Sequence, residues 1–324
     1  MSTTPTITTS YGATPQVVLR YPDAKDPKWS AFNPSISKAP DGTLGMLIRS
    51  SNYYIEPDTG ITSVLSGGTI KTRTWYCIVD PNDLSLHDLR EISFSYPSNM
   101  IMTRGVEDAR LFWRDDSWYF TAVMFEPPAI KYARLCLFKL DTETNVATFV
   151  KLYPGPKEDR SEKNWMAPDV ATAKFDYIYS NTQTYKDDEV HGTYTDMEIS
   201  IDKSKYLSSL RGGSCLVLQE DGTYLAVVHD VEVRIKREYD PRSFGFHNIH
   251  HRNYQHYFAR YSSDGELIAL SPAFLFKTPG IEYGSGMVEI GTDLIVSFGA
   301  KDVFCCLIKL DKKRVVDSLQ PIGG

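Results

Sequence analysis

The chain has 324 residues, 42% of them hydrophobic and 23% charged, with a formal net charge of −6 and a pI near 5.7. That length and apolar content suit a large globular domain, and the acidic balance argues against a general nucleic-acid binder, which carries a basic stripe. No run of about 18 apolar residues is available to span a membrane.

Met1 to Thr9 is Ser/Thr-rich and lacks the basic start and apolar stretch of a signal peptide. Residues 1–15 are therefore expected to be a flexible tail ahead of a single domain spanning 16–320, with Gly323-Gly324 simply an end. Beyond the tail, helical periodicity is nearly absent. Short β-rich runs alternate with turn residues instead, the pattern of an all-β sandwich, barrel or propeller. Asp41-Gly42 precedes Thr43–Arg49, and Asp115-Asp116-Ser117 separates Ala109–Trp113 from Trp118–Phe125. Asp221-Gly222, Asp264-Gly265 and Gly291-Thr292-Asp293 join three further pairs of apolar runs. Each is a strand–turn–strand unit with the turn chemistry that such connections prefer. The aromatic content of 12%, with 20 Tyr and 15 Phe, favours strands as well.

Polar clusters open successive groups of these runs near Asn33, Asp108, Lys163, Arg211 and Glu282, at spacings of 75, 55, 48 and 71 residues. Repeats of about 40–50 residues with four strands each mark propeller blades. The expected fold is thus all-β, a five-bladed β-propeller, with loop insertions in the two longest repeats. The polar stretch from Phe175 to Tyr206 reads as a surface excursion of the third blade or as a loop gating a site. Five cysteines, an odd number, sit mostly within apolar runs and read as buried thiols of a reducing compartment, so a cytoplasmic location is expected. Adjacent Cys305 and Cys306 are expected on opposite faces of one strand.

In a propeller, polar side chains at one end of the innermost strands converge from distant parts of the chain. Arg104-Gly105-Val106-Glu107-Asp108-Ala109-Arg110 places two carboxylates between arginines. Either carboxylate suits acid/base work and Arg110 an anionic group, or the set is an exposed strand-end ion pair. The arginines should lower a carboxylate's pKa unless burial opposes them. Glu162-Lys163-Asn164-Trp165 offers a phosphate-binding lysine, an amide for hydroxyls and an indole, or else a turn with a packed Trp. Arg211-Gly212-Gly213-Ser214 permits close backbone approach or forms an ordinary tight turn. His229-Asp230 and Tyr254-Gln255-His256 lie at expected strand ends, and Glu282 and Asp302 at turn-like positions. The run His247-Asn248-Ile249-His250-His251 lacks the companion ligands of a zinc site, so neither a metal nor any other cofactor is expected.

Taken in order from Phe32-Asn33-Pro34 through Arg49, Gly105–Arg110, Lys163-Asn164, Arg211–Ser214 and His229 to the Gly/Glu-rich last unit, these motifs resemble glycoside hydrolase family 130. That group comprises mannoside phosphorylases and mannosidases, with glycosyltransferase-like relatives. Ala109 stands where the family has Pro. The resemblance implies a five-bladed propeller with Asp108 as the catalytic carboxyl. It assigns an anionic group to Arg49, Arg110, Lys163, Arg211 and His229, and sugar hydroxyls to Asn33 and Asn164; His256, Glu282 and Asp302 complete the expected site. The leading expectation is inverting glycosyl transfer between a phosphorylated sugar donor and a carbohydrate acceptor. An inverting hydrolase pairing Asp108 with Glu282, Asp230 or Asp302, and a propeller that binds glycans without turnover, are the alternatives.

Overall fold

The computed structural model describes residues 4–322 except 56–61, 66–67, 99, 101–102, 126–131, 157–159, 171, 181–182, 188–191, 197–208 and 241–244; the side chains of 234–240 and 245–251 also lie outside the description.

Five sheets, antiparallel apart from one edge strand, form a five-bladed propeller. Blade one contains Ser30–Lys38, Leu44–Ser51, Thr72–Val79 and Leu86–Glu91, in that order from the axis outward. A small hairpin, Tyr53–Ile55 with Thr62–Val64, is inserted between its second and third strands. Blade two runs Glu107–Arg114, Ser117–Met124, Arg134–Asp141 and Val146–Leu152, with Ser93–Ser95 added in parallel at its outer edge. Blade three comprises Tyr177–Ser180, Gln183–Lys186 and Thr193–Asp196, and on its inner side the segment at Met166 bridges to Ile178.

The innermost strand of blade four is split into Arg211–Gly212 and Val217–Leu218, followed by Tyr224–Asp240, Gly245–Tyr261 and Leu267–Leu270. Blade five holds Glu282–Ile290, Asp293–Ala300 and Phe304–Asp311, and its outer place is taken by Gln16–Leu19 from the other end of the chain. That strand closes the ring, while Gln320–Pro321 pairs with the outer strand of blade four.

The sequence pattern explains why the sheets pack as a ring. Successive strand residues face opposite ways, so each sheet needs an apolar partner on both faces. Five buried clusters result, one for each pair of adjacent blades. Leu111 joins the cluster between blades one and two, while its neighbour Phe112 joins the one between blades two and three. Cys305 and Cys306 divide in the same way between the clusters on either side of blade five, and all five cysteines are buried and free.

Three expectations need correction. Residues 7–11 form a short helix whose Ile7 and Tyr11 are buried, with Tyr11 edge-on to Phe258 and Phe274, so the expected tail is docked from Thr6 onward. Of the polar stretch from Phe175 to Tyr206, the strands between Tyr177 and Asp196 form the sheet of blade three itself, and 197–206 lie outside the described residues. Tyr177 and Tyr185 are fully buried there around Trp165, a use of the strand preference of Tyr and Thr that the polarity of the stretch concealed. His229 and Tyr254 are not at strand ends. They stand diagonally, His229 opposite His256 and Tyr254 opposite Val231, within two 17-residue strands that stay paired from Tyr224–Tyr261 out to Asp240–Gly245.

Candidate active site

At one end of the axis the innermost strands depart from regular pairing. Register breaks fall between Phe32 and Ser35 in blade one, opposite Thr121–Val123 in blade two, and between Gly284 and Gly286 in blade five. Such bulges re-aim side chains. Asn33, Asp108 and Asn164, at matching points of blades one to three, all adopt left-handed backbone (φ 46°, 51° and 68°), as does Asp302 (φ 51°). Asn and Asp enter that region more readily than other side chains, and their surroundings offset the remaining cost. Gly299 is one part of those surroundings: a Cβ there would lie 2.2 Å from Asn33 Oδ1 and 2.6 Å from Asn33 N.

The blades are stitched together just below. Ser35 Oγ accepts from Leu111 N across blades one and two (2.9 Å), and Ser285 and Ser297 both donate to the Pro34 carbonyl across blades five and one (2.7 and 2.6 Å). Arg110 is wholly buried. Its Nε donates to Gly213 O at 2.7 Å, and its Nη2 reaches Asn164 Oδ1 at 3.2 Å and also contacts the Tyr283 hydroxyl. Tyr283 in turn donates to Asn164 Oδ1 (3.1 Å), so one guanidinium links four blades.

Above this floor lies a cavity of about 290 Å³. Asp108 forms its base, accepting from Asn33 Nδ2 at 2.9 Å and from Arg49 Nη1 at 3.0 Å, while Arg49 Nη2 pairs with Glu107 at 2.7 Å. Arg49 is buried and lies over the Phe32 ring. Burial opposes ionisation of Asp108. Arg49, the Asn33 bond, Arg110 and Lys163 together outweigh it, and the carboxyl is held below the usual carboxylate range. Glu107 and Asp302 shift the other way. For both, burial dominates over the attraction of Arg49 and raises the pKa, although Asp302 accepts from Tyr53 Oη at 2.8 Å.

His229 is 2% exposed, stacks on Tyr254 and meets Tyr283 edge-on. Burial, followed by the nearby His256 and Arg110, lowers its pKa well below the ordinary histidine value, so the ring is neutral. Its Nδ1 has no hydrogen-bond partner among the described residues, and neither has Arg49 Nε. Lys163, Arg211 and Arg252 stand exposed at the rim with no ion pair among the described residues.

Eight expected site residues line this cavity together: Asn33, Arg49, Asp108, Lys163, Asn164, Arg211, His229 and Asp302. Three do not. Arg110 lies beneath the floor as a tie between blades. Glu282 is buried and faces away, its carboxylate accepting from the backbone N–H groups of Phe276, Lys277 and Thr278 at 2.7–3.0 Å. His256 is fully buried against Phe276, and burial pushes its pKa down to about 3. Asp230 is not part of the lining either, its carboxylate accepting from Val231 N. The side chains of His247–His251 lie outside those described.

Sequence reasoning missed Tyr53, Arg252 and Tyr283 as lining residues. Tyr283 is one position from Glu282, and a one-residue error in parity exchanges the two faces of a strand. Arg252, Tyr254 and His256 alternate along one strand, so the period-two pattern around His256 held the signal for the other two. Tyr53 arrives on the inserted hairpin of blade one, whose only sequence trace is the length of the first repeat.

No family model and no curated protein matches the chain in sequence. Solved structures match along most of its length. A β-1,2-mannobiose phosphorylase from Listeria innocua, in complex with β-1,2-mannobiose, is 12% identical over 94% of this chain and 92% of that one (TM-score 0.56). A mannose phosphorylase from Leishmania mexicana, in complex with phosphate ion, is 11% identical over 95% and 92% (TM-score 0.52). A structure from the GH130 family of mannoside phosphorylases, which contains hydrolases that target β-1,2 mannosidic linkages in Candida mannan, is 14% identical over 87% and 84% (TM-score 0.57). The chain has the five-bladed propeller fold of glycoside hydrolase family 130.

Proposed function

We propose that the chain is a carbohydrate-active enzyme that transfers a glycosyl group, with inversion, between a phosphate-bearing sugar and an acceptor hydroxyl. The observation that carries this reading is the composition of one cavity. An ionised carboxylate, Asp108, is fixed at its base by Asn33 and Arg49, while Lys163, Arg211 and Arg252 face the opening without ion-pair partners among the described residues. A phosphate needs such cations, and a neutral glycoside alone does not. The phosphate ion of the Leishmania structure and the disaccharide of the Listeria structure agree with this pairing of ligands on the same fold.

In the synthetic direction the acceptor oxygen attacks the anomeric carbon from the face opposite the phosphate. The carbon–oxygen bond to phosphate breaks, and Asp108 takes the acceptor proton. In the reverse direction a phosphate oxygen attacks, the glycosidic bond breaks, and a protonated Asp108 returns the proton to the leaving oxygen. The depressed pKa of Asp108 keeps it ionised, the state from which the first role starts. In the second, arrival of the phosphate's negative charge raises that pKa and readies the acid, since a nearby like charge disfavours the ionised form. Neutral His229, whose Nδ1 has no partner among the described residues, is placed to hydrogen-bond the phosphate or a sugar hydroxyl.

Inverting hydrolysis is the second reading, and Asp302 favours it. Its raised pKa against the lowered one of Asp108 makes a pair of carboxyls with divided roles. A screen of sugar 1-phosphates and nucleotide sugars against mixed acceptors tests both readings, with wild type and Asp108→Asn side by side. Product formed only with a phosphate-bearing donor, and lost in Asp108→Asn, supports transfer. Free sugar released from glycosides at the same rate with and without phosphate overturns it in favour of hydrolysis.

A further inference from the structure

A second cavity, of about 570 Å³, lies in the groove between blades one and two. It is remote from the site just described. Asp108 begins the innermost strand of blade two, and Trp113 is five residues further along it, about 17 Å at the usual rise of a strand. The groove is therefore at the turn end of the blades, beside the Asp41-Gly42 and Asp115-Asp116 turns.

Its lining combines two kinds of group. Trp113 and Trp118 meet edge to face with centroids 4.9 Å apart, and Tyr76 adjoins Trp118 at 6.5 Å; Trp113 is partly exposed, while the other two are buried behind it. Around this aromatic wall stand Arg90, Asp116 and Glu143, all exposed and none with a side-chain hydrogen bond or ion pair among the described residues. Neighbouring carboxylates are occupied by contrast: Asp41 accepts from Thr43 N at 2.8 Å, and Asp141 from Glu143 N at 2.9 Å.

We infer that this groove is an ancillary binding site for a neutral oligosaccharide chain. The chemistry of the lining selects that class. An ionic ligand is matched by one sign of charge, whereas here the cations of Arg90 and Lys139 are interspersed with the carboxylates of Asp41, Asp116, Asp141 and Glu143, so that donors and acceptors stand side by side and the acidic excess disfavours an anion. Aromatic surface next to planar hydrogen-bonding groups fits a polyhydroxylated ring, whose C–H face is apolar and whose edge is not. The volume falls within the range of small-molecule sites and exceeds that of the axial cavity. The identity of the ligand rests on the carbohydrate reading above; the existence of a second site does not. Its effect would be to hold a long glycan on the enzyme while one end is worked on about a molecule's thickness away.

The test uses the full chain and a panel of neutral manno-, gluco- and galacto-oligosaccharides from disaccharide to hexasaccharide. Binding is followed by calorimetry and by tryptophan fluorescence in wild type, Trp113→Ala, Arg90→Ala and Glu143→Gln. Arg90 and Glu143 are exposed, so their variants keep the question open should Trp113→Ala fail to fold. The expected result is binding that strengthens with chain length and weakens about tenfold in Trp113→Ala, as loss of a central aromatic anchor does. Arg90→Ala and Glu143→Gln should each weaken it severalfold, while turnover of the shortest substrate stays unchanged. Longer glycans that bind all three variants as they bind wild type, or that bind none of the proteins, overturn the inference. So does a groove that takes only a protein partner. Asp108→Asn separates the two proposals, because it abolishes turnover and leaves binding in the groove intact.

Discussion

The two ends of the five innermost strands offer the same raw material and put it to different use. At the far end, a cavity of about 440 Å³ is lined by Lys38, Asp169 and Glu289 among apolar neighbours. Those groups are occupied: Lys38 Nζ donates to Glu289 O at 2.8 Å, Glu289 pairs with Lys312 at 2.7 Å, and Asp169 accepts from Leu218 N at 3.0 Å. At the near end the cavity is smaller, about 290 Å³, yet among the described residues three cations at its rim lack ion pairs and buried atoms of His229 and Arg49 lack hydrogen-bond partners. Size does not separate the two; satisfaction of polar groups does. A buried polar atom without a partner costs about 1–3 kcal/mol, and at the mouth of an open cavity a bound ligand can supply the missing partner.

The largest way to break this contrast is at Asp108. Asp108→Asn keeps the shape and the contact with Asn33 but removes the charge and the proton exchange. Turnover should fall by about 10²–10⁴-fold with the circular dichroism spectrum unchanged; retention of full activity would place the chemistry elsewhere.

Next come two cations of opposite character. Arg110→Met removes a buried guanidinium that ties Gly213 O, Asn164 and Tyr283, leaving acceptors unsatisfied, and should lower unfolding free energy by about 2–4 kcal/mol in urea. Lys163→Ala should leave stability within about 0.5 kcal/mol of wild type, while affinity for a phosphate-bearing ligand weakens about tenfold. Equal effects of the two variants on stability would erase the distinction between scaffold and ligand-binding cations.

The smallest effect belongs to the far end. Burial raises the Asp169 pKa from 3.8 in the unfolded chain to about 6 in the folded one. The folded state therefore binds the extra proton between those values, and the stabilisation this gives is complete below about pH 4 and lost as pH rises through about 6. Asp169→Asn, which can still accept from Leu218 N, should flatten that decline in urea titrations between pH 4 and 7. An unchanged slope would mean that Asp169 is solvated.

Much of this architecture was readable in the sequence, because local chemistry dictates it. The Asp-Gly turns fall where Gly42, Gly222 and Gly265 take positive φ, and the five polar clusters mark the axial ends of the five blades. Asn33, Asp108, Lys163 and Arg211 were legible because each interrupts an apolar pattern at the same point of a repeat. What escaped depended on geometry that spacing does not encode. The bulges decide which of Glu282 and Tyr283 faces the cavity, and the structural role of Arg110 follows from carbonyls about a hundred residues away at Gly212 and Gly213. Blade three hid its sheet inside a polar stretch, because tyrosine serves as core when its hydroxyl finds a partner, as Tyr153 and Tyr177 do for each other at 2.8 Å.

Whether the near cavity holds a phosphate-bearing sugar over Asp108 is decided by calorimetric titration of a set of sugar 1-phosphates into wild type and a Lys163→Ala, Arg211→Ala double variant. Saturable binding to wild type, competed away by inorganic phosphate and lost in the double variant, is the expected result. Sugar phosphates that bind neither protein, or that bind both with equal affinity, would contradict it.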